Sequence, residues 1–329
     1  MAQLILNSVG DPVESASLEP NPTLVGADEV LVAMEAASIN PVDLLYAKGQ
    51  YAVPVKVGGG LGSEGVGRVL EVGSAVDPAL LGRRVIILAN LEQGSWADRT
   101  VAPARNVVAI GDEGDAAQLA QLSVNPATAH ILLNRFGALR PGDWIGLTIG
   151  NSAIGQYIIK LAKLAGYHTL SIVRSEQAAE QVRSFGGDLV VVHGENLAGR
   201  VAGALGARQL DLVLDGEGGA TVGEVAQSLK FGGTVVAYAS MSRAPQSIGI
   251  VDLIIRELEL KGFWLVNWLR EAPRAEIEAT YAELAALVVK GEISSVIEAS
   301  YPLAEYRAAF AHAGTPGRSG KVVFVFDAA

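Results

Sequence analysis

From about residue 126 the sequence alternates short apolar runs with stretches of helical period, and no other feature limits the possible folds as tightly. The runs 144–149 (WIGLTI), 168–173 (HTLSIV), 188–192 (DLVVV), 210–214 (LDLVL) and 233–239 (GTVVAYA) are too short for helices and rich in β-branched residues, so they read as strands. Residues 126–137, 153–165, 176–185 and 220–230 read as helices. Strands that are apolar throughout are buried on both faces, and helices between them supply the cover. The expectation is an α/β unit with a doubly wound parallel sheet.

The first third of the chain has a different texture. Residues 29–36 (EVLVAMEA) and 66–73 (VGRVLEVG) alternate apolar and polar positions, 84–89 (RVIILA) is a short apolar run, and Gly and Pro punctuate the intervals. A β-rich region follows. Beyond residue 262 an amphipathic helix at about 273–290 and a strand at 321–326 (KVVFVF) are expected to return to that region. At 329 residues, two cores are expected rather than one.

Composition narrows the function. Half the residues are hydrophobic, yet no uninterrupted run reaches the roughly 18 to 20 apolar residues of a membrane helix, so no membrane association is expected. The opening MAQLILNSVGDPVE has neither a basic segment nor a long apolar core, which favours a cytoplasmic location. With no cysteine there is no disulfide, no thiolate nucleophile and no Cys-ligated metal. A net charge of −10 without a dense Lys/Arg cluster argues against nucleic acid as a partner.

Between strand 144–149 and helix 153–165 lies Gly150-Asn151-Ser152-Ala153-Ile154-Gly155. Small residues at such a turn let the first amides of a helix approach a pyrophosphate. Ser152 stands where the dinucleotide fingerprint has its second glycine, so an ordinary tight turn is the alternative. An acidic residue ending the second strand would favour NADH; this chain ends it with Val173-Arg174-Ser175, whose guanidinium suits the 2′-phosphate of NADPH. Against this stand Glu176 next door and the alternative that Arg174 is a plain surface charge.

Several segments together resemble the medium-chain dehydrogenase/reductase superfamily: SINPVDLLYAKGQY (38–51), LGSEGVGRVLEVG (61–73), SVNPATA (123–129) and NSAIG (151–155). INP-D with a following G-Y is shared with quinone oxidoreductases. NSAIG, ANLEQGSWADR (89–99) and GFWLVNW (262–268) are closer to the mitochondrial-type 2-enoyl thioester reductases. The resemblance implies a GroES-like catalytic domain over 1–122, a Rossmann domain over 123–262 and a return to the first domain over 263–329, with the active site in the cleft. It implies NADPH contacts at Asn125, at Asn151, Ser152, Ala153 and Ile154, at Arg174, at Tyr238, Ala239, Ser240 and Met241, at Phe263, Trp264, Leu265 and Val266, and at Lys321. It also implies a homodimer.

Zinc members of the superfamily carry a Cys in the stretch aligned with 38–43 and a His at the position of Ser63. This chain has neither, so polarisation of the substrate falls to hydrogen-bond donors. An α,β-unsaturated thioester suits such a site: hydride adds at Cβ, charge develops on the thioester oxygen, and Cα takes a proton. Tyr51, in GQY at the position the resemblance aligns with the catalytic one, is the expected proton donor or enolate-stabilising hydroxyl, because a phenol with a pKa of about 10 stays protonated at neutral pH. The alternative is a half-buried turn residue that only lines the site. Asn40 is expected to assist catalysis and Asp43 to position the loop or the nicotinamide amide, with a turn-capping pair as the alternative. Trp264 and Trp268 line the acyl pocket or belong to the core.

His130, His168, His193 and His312 have no carboxylate in a sequence pattern that suggests a relay, and each is expected to be structural. Gly58, Gly59, Gly60 and Gly62 are expected to shape a flexible loop at the site or to form simple turns. Three functions compete: NADPH-dependent reduction of 2-enoyl thioesters carried by CoA or acyl carrier protein, reduction of quinones or enones, and nucleotide binding without turnover.

Overall fold

The computed structural model describes residues 1–327 apart from Leu24 and Pro316. The chain divides into two units, Met1–Ala127 with Leu265–Ala329, and Thr128–Trp264.

In the first unit, β1 (Ala2–Leu6) pairs antiparallel with β2 (Ala16–Pro20). The larger sheet is built on β3 (Glu29–Ser38), β4 (Gly65–Val72), β5 (Arg84–Ile87), β6 (Arg99–Pro103) and β7 (Val107–Ala109). β3 is buried along nearly its whole length, and it pairs antiparallel with both β4 and β6. Its Val30, Val32 and Met34 pack with Val69, Val85, Ile87 and Val107. A second cluster surrounds Trp96, whose ring lies 4.9 Å from Phe310 and 5.6 Å from Phe324 and whose indole N–H donates to Ser38 O at 3.0 Å. Each such side chain is worth roughly 1.5–3 kcal/mol of apolar burial.

The second unit holds a six-stranded parallel sheet: β8 (Trp144–Leu147), β9 (His168–Val173), β10 (Leu189–Val192), β11 (Leu210–Asp215), β12 (Leu229–Ala237) and β13 (Glu259–Gly262), in the order β10-β9-β8-β11-β12-β13. This is the doubly wound order, which reverses direction between β8 and β11. The apolar strands expected from the sequence fall here, packed through Leu170, Ile172, Val191, Val213 and Val235 against helix residues such as Val201, Val222 and Val225. The helix expected over 220–230 is shorter, Ala220–Ala226, because Leu229 already pairs with Leu210 as the start of β12.

The chain then returns. β14 (Ile297–Tyr301) pairs parallel with β15 (Lys321–Val325), and β15 pairs antiparallel with β3, so this strand joins the first unit's sheet. The architecture is a GroES-like β-rich domain plus a Rossmann domain. Among the described residues, no helix is long and apolar enough to cross a membrane.

Candidate active site

The end of β3 and the start of β15 build a polar cluster inside an otherwise apolar core. Pro41 opens the helix Pro41–Ala47, and Asp43 in its first turn accepts the backbone N–H of Asn40 at 2.8 Å while its own N–H reaches Asn40 O at 3.1 Å. Capping is thus done by Asp43. The Asn40 side chain turns to other partners: its Nδ2 donates to Glu64 Oε1 at 2.7 Å, and its Oδ1 accepts from Lys321 Nζ. Lys321 Nζ also donates to Ile39 O at 3.3 Å, and Glu64 Oε2 accepts Val124 N–H at 2.8 Å. Asn40, Asp43, Ser63, Glu64 and Lys321 are all buried.

The register dictates this meeting. Val323 pairs with Ser38 and Ile39 N donates to Val322 O at 3.1 Å, so the next residues along the two strands are Lys321 and Asn40. Burial pushes the Asp43 carboxyl up to about 6, against the pull of Ser63, the Asn40 amide and Lys321. Burial also raises Glu64, against Lys321 and Asn40, and lowers the Lys321 ammonium, against the two carboxylates. A protein-bound zinc takes four ligands from Cys, His and carboxylates. Here the cluster offers no Cys or His and only two carboxylates, Asp43 and Glu64, already bonded to Asn40 and Val124, and among the described residues no three His, Cys, Asp or Glu come together to hold an ion.

Tyr51 is half-buried in the bend that follows Pro41–Ala47. The glycine-rich segment is stitched down: Gly58 N donates to Leu6 O at 2.7 Å, and Leu6 N and Leu61 N–H extend the ladder to β1. A Cβ on Gly94 would lie 2.7 Å from Gly60 Cα, so two backbones cross where neither tolerates a side chain. Gly60 and Gly94 serve close approach, whereas Gly58, where a Cβ would meet nothing, supplies a φ of +79°.

In the Rossmann unit, the helix Ala153–Leu164 is capped by Ser152, whose Oγ accepts Gly155 N–H at 3.1 Å. A Cβ on Gly150 would fall 2.4 Å from Ser171 Cβ, and one on Gly155 2.3 Å from Gly150 O. This is a turn drawn tight against strand and helix, as a pyrophosphate-binding loop requires, so the residues fit a dinucleotide. Asn151 to Ile154 are half-exposed around it. Arg174 is exposed at the end of β9, and Ser175, whose hydroxyl was grouped with it, instead caps the next helix by accepting Ala178 N–H at 3.2 Å. The Glu217 carboxyl is raised by burial and by Asp215, against the pull of His193, Thr221 and, last, Arg174.

Tyr238 ends β12 with its phenol pushed up by burial and by Asp215; Ala239, Ser240 and Met241 are exposed beyond it. Phe263 stacks edge-on with Phe136 at 6.1 Å. Asn125 begins the helix Asn125–Arg135. Leu265, Val266 and Trp268 are buried in Leu265–Glu271, where Trp268 Nε1 donates to Glu276 at 3.1 Å and its ring meets Tyr281 at 6.4 Å. Trp264 is half-buried just before that helix.

Sequence reasoning missed the Glu64 bridge and Asp215. The latter is buried at the end of β11 and accepts from Thr148 Oγ1 and Gln246 Nε2, each at 2.6 Å. The signal for Asp215 was an acid closing an apolar strand before Gly-rich residues. Two of the histidines have carboxylate partners that no sequence pattern indicated: His312 lies between Tyr301 Oη at 3.0 Å and Glu298 Oε1 at 2.9 Å, and His168 lies 3.2 Å from Asp188. Their carboxylates come from distant strands and turns, which no local pattern could reveal.

Residues 26–112 match the alcohol dehydrogenase GroES-like domain family and residues 153–286 the zinc-binding dehydrogenase family. The mitochondrial enoyl-acyl-carrier-protein reductase of Dictyostelium discoideum is 33% identical over 304 residues, covering 90% of this chain and 85% of that protein. A mycobacterial quinone oxidoreductase superposes with a TM-score of 0.89 at 24% identity, with 99% of each chain covered. The Etr1p/NADP/crotonyl-CoA complex superposes with a TM-score of 0.84 at 20% identity, again covering 99% of each chain. With the two-unit fold, the tight nucleotide loop and a match of this length, the chain belongs to the mitochondrial enoyl-acyl-carrier-protein reductase family of the medium-chain dehydrogenase/reductase superfamily.

Proposed function

We propose that the chain reduces the C2=C3 bond of trans-2-enoyl thioesters with NADPH. The observation that carries this reading is the match to the D. discoideum enzyme along nine-tenths of the chain. The site agrees with it. A cluster closed by an ammonium leaves the developing oxyanion to organic donors, and conjugated thioesters are activated enough to react that way.

NADPH, held by Asn125, Asn151 to Ile154, Arg174, Tyr238 to Met241 and the segment from Phe263 to Val266, supplies the hydride that adds at Cβ. The residues do the rest. Ser152 fixes the start of its helix, so that first-turn amides meet the pyrophosphate. Arg174 pairs with the 2′-phosphate. Tyr51 donates its phenolic proton to Cα and Trp264 bounds the acyl side, whereas Trp268, buried against Tyr281, belongs to the core. Asn40, committed at both ends of its side chain, orders the segment that leads to Tyr51.

The second reading, quinone or enone reduction, draws on the likeness to the mycobacterial quinone oxidoreductase. Turnover of crotonyl-CoA well above that of 1,4-naphthoquinone is expected; the reverse ordering would replace the first reading with the second. The protein also pairs as a homodimer along the open edge of β13. That edge strand is exposed on every residue, and Ile250, Val251, Ile254 and Ile255 beside it are each more than 60% exposed.

A further inference from the structure

We propose that Glu64 and Lys321 are positioning residues for the reduction, clamping Asn40 from its two ends so that the segment leading to Tyr51 and the backbone before Asn125 keep one geometry. The inference rests on the reading of Tyr51 as proton donor and Asn125 as a cofactor contact.

The chemistry of Asn40 is the first support. Its amide has one acceptor end and one donor end, and both are taken by buried ionisable groups, Lys321 Nζ on Oδ1 and Glu64 Oε1 on Nδ2. Rotation of the amide would set donor against ammonium and acceptor against carboxylate, so a single rotamer is imposed. The reach of Glu64 is the second support. Its other oxygen holds Val124 N–H at 2.8 Å, and its carbonyl accepts Ser95 Oγ at 2.8 Å. One carboxylate thus joins the residue before Asn125 to the N-cap of the helix that precedes Tyr51.

The rigidity of Lys321 is the third. Glu298 accepts the N–H groups of Ser319 at 2.7 Å and Gly320 at 2.8 Å, and Lys321 N donates to Val296 O at 2.8 Å, so the ammonium projects from backbone fixed on both sides. Burying an acid and an ammonium rarely gives the most stable core, since apolar groups of equal volume are often as good or better. Fixed orientation at a functional segment accounts for a network that stability alone does not require.

The test uses the full chain with Lys321→Met, Lys321→Arg, Glu64→Gln and the double variant Glu64→Gln/Lys321→Met, which leaves Asp43 as the cluster's one ionisable side chain. Thermal midpoint, NADPH affinity by nicotinamide fluorescence, and kcat and KM for crotonyl-CoA are measured on each. Lys321→Met is expected to lower kcat by roughly 10², the scale of an ångström-level misplacement, with NADPH affinity changed by no more than about threefold. In the double variant the thermal midpoint recovers and kcat does not, because Asn40 Oδ1 still lacks its donor; Lys321→Arg restores part of kcat. Recovery of kcat in step with the midpoint would reduce the network to charge balance and overturn the proposal. So would NADPH affinity falling in step with kcat, which would make Lys321 a direct cofactor contact. If a single variant does not fold, the double variant alone decides. An inactive wild type on crotonyl-CoA would remove the substrate reading only, and the same series is then scored on 1,4-naphthoquinone.

Discussion

Thr148 donates its hydroxyl to Asp215 Oδ1 at 2.6 Å and so ties together the ends of β8 and β11, the strands between which the sheet reverses direction. Asp215 also accepts from Gly218 N at 3.1 Å, and Thr148 Oγ1 accepts Gly216 N–H at 3.0 Å. Asp215→Ala leaves a buried hydroxyl, the Gln246 amide and a turn without their acceptor, a loss of about 3 kcal/mol or more. Urea unfolding reads that loss. NADPH affinity falls with it, since the segment from Met241 to Ser242 is hydrogen-bonded to Gly216 and Glu217.

Tyr51→Phe is expected to slow enoyl reduction by roughly 10², the usual scale for a lost general acid, with NADPH affinity unchanged. Steady-state kinetics beside a fluorescence titration measure both. An unchanged kcat would demote Tyr51 to a residue that lines the site.

Arg174→Ala is expected to weaken NADPH by about 10-fold or more while leaving NADH nearly untouched, as loss of a charge-assisted hydrogen bond should. Equal losses for the two cofactors would move the 2′-phosphate elsewhere.

Glu298 is held down to about 2, first by its hydrogen bond with His312 and then by the amides of Gly320 and Ser319. A carboxyl whose folded value lies below its ordinary 4.5 adds stability that is complete above 4.5 and lost as the pH falls toward 2. Glu298→Gln should therefore melt earlier than wild type at neutral pH, with the gap closing as the pH approaches 2. A gap independent of pH would assign the loss to packing.

Ile254→Asp, placed on the exposed apolar helix beside β13, is expected to shift the protein from dimer to monomer in sedimentation without changing its fold by circular dichroism. A dimer that survives this change would put the interface on another surface.

The two textures of the sequence mapped onto the two sheets because each follows from local periodicity. Strand His168–Val173 was read to the residue, and the helices Ala153–Leu164 and Arg274–Val289 to within one. β13 escaped because all its residues are exposed, so no apolar rhythm marks it. The Asn40, Glu64 and Lys321 network escaped for another reason. Its members stand 24 and 281 positions apart, and only the register of β15 on β3 brings them together. Lys321 was assigned from resemblance to the cofactor, whereas its ammonium lies against Asn40 and Ile39. The tight turn at 150–155 was legible because such turns demand small residues at fixed spacing, as at Gly150 and Gly155.

Because β15 completes a sheet begun by β3, the first unit cannot close until Lys321–Val325 has been made. A ribosome adding about 5–20 residues per second needs on the order of tens of seconds to travel from Asn40 to Lys321. The Rossmann unit, contiguous in the chain, emerges entire within that delay. Until β15 arrives, Glu64 lacks the Lys321 cation and Ala36–Ser38 lack a partner on the flank that β6 leaves open, so that end of β3 is the stretch most prone to mispairing.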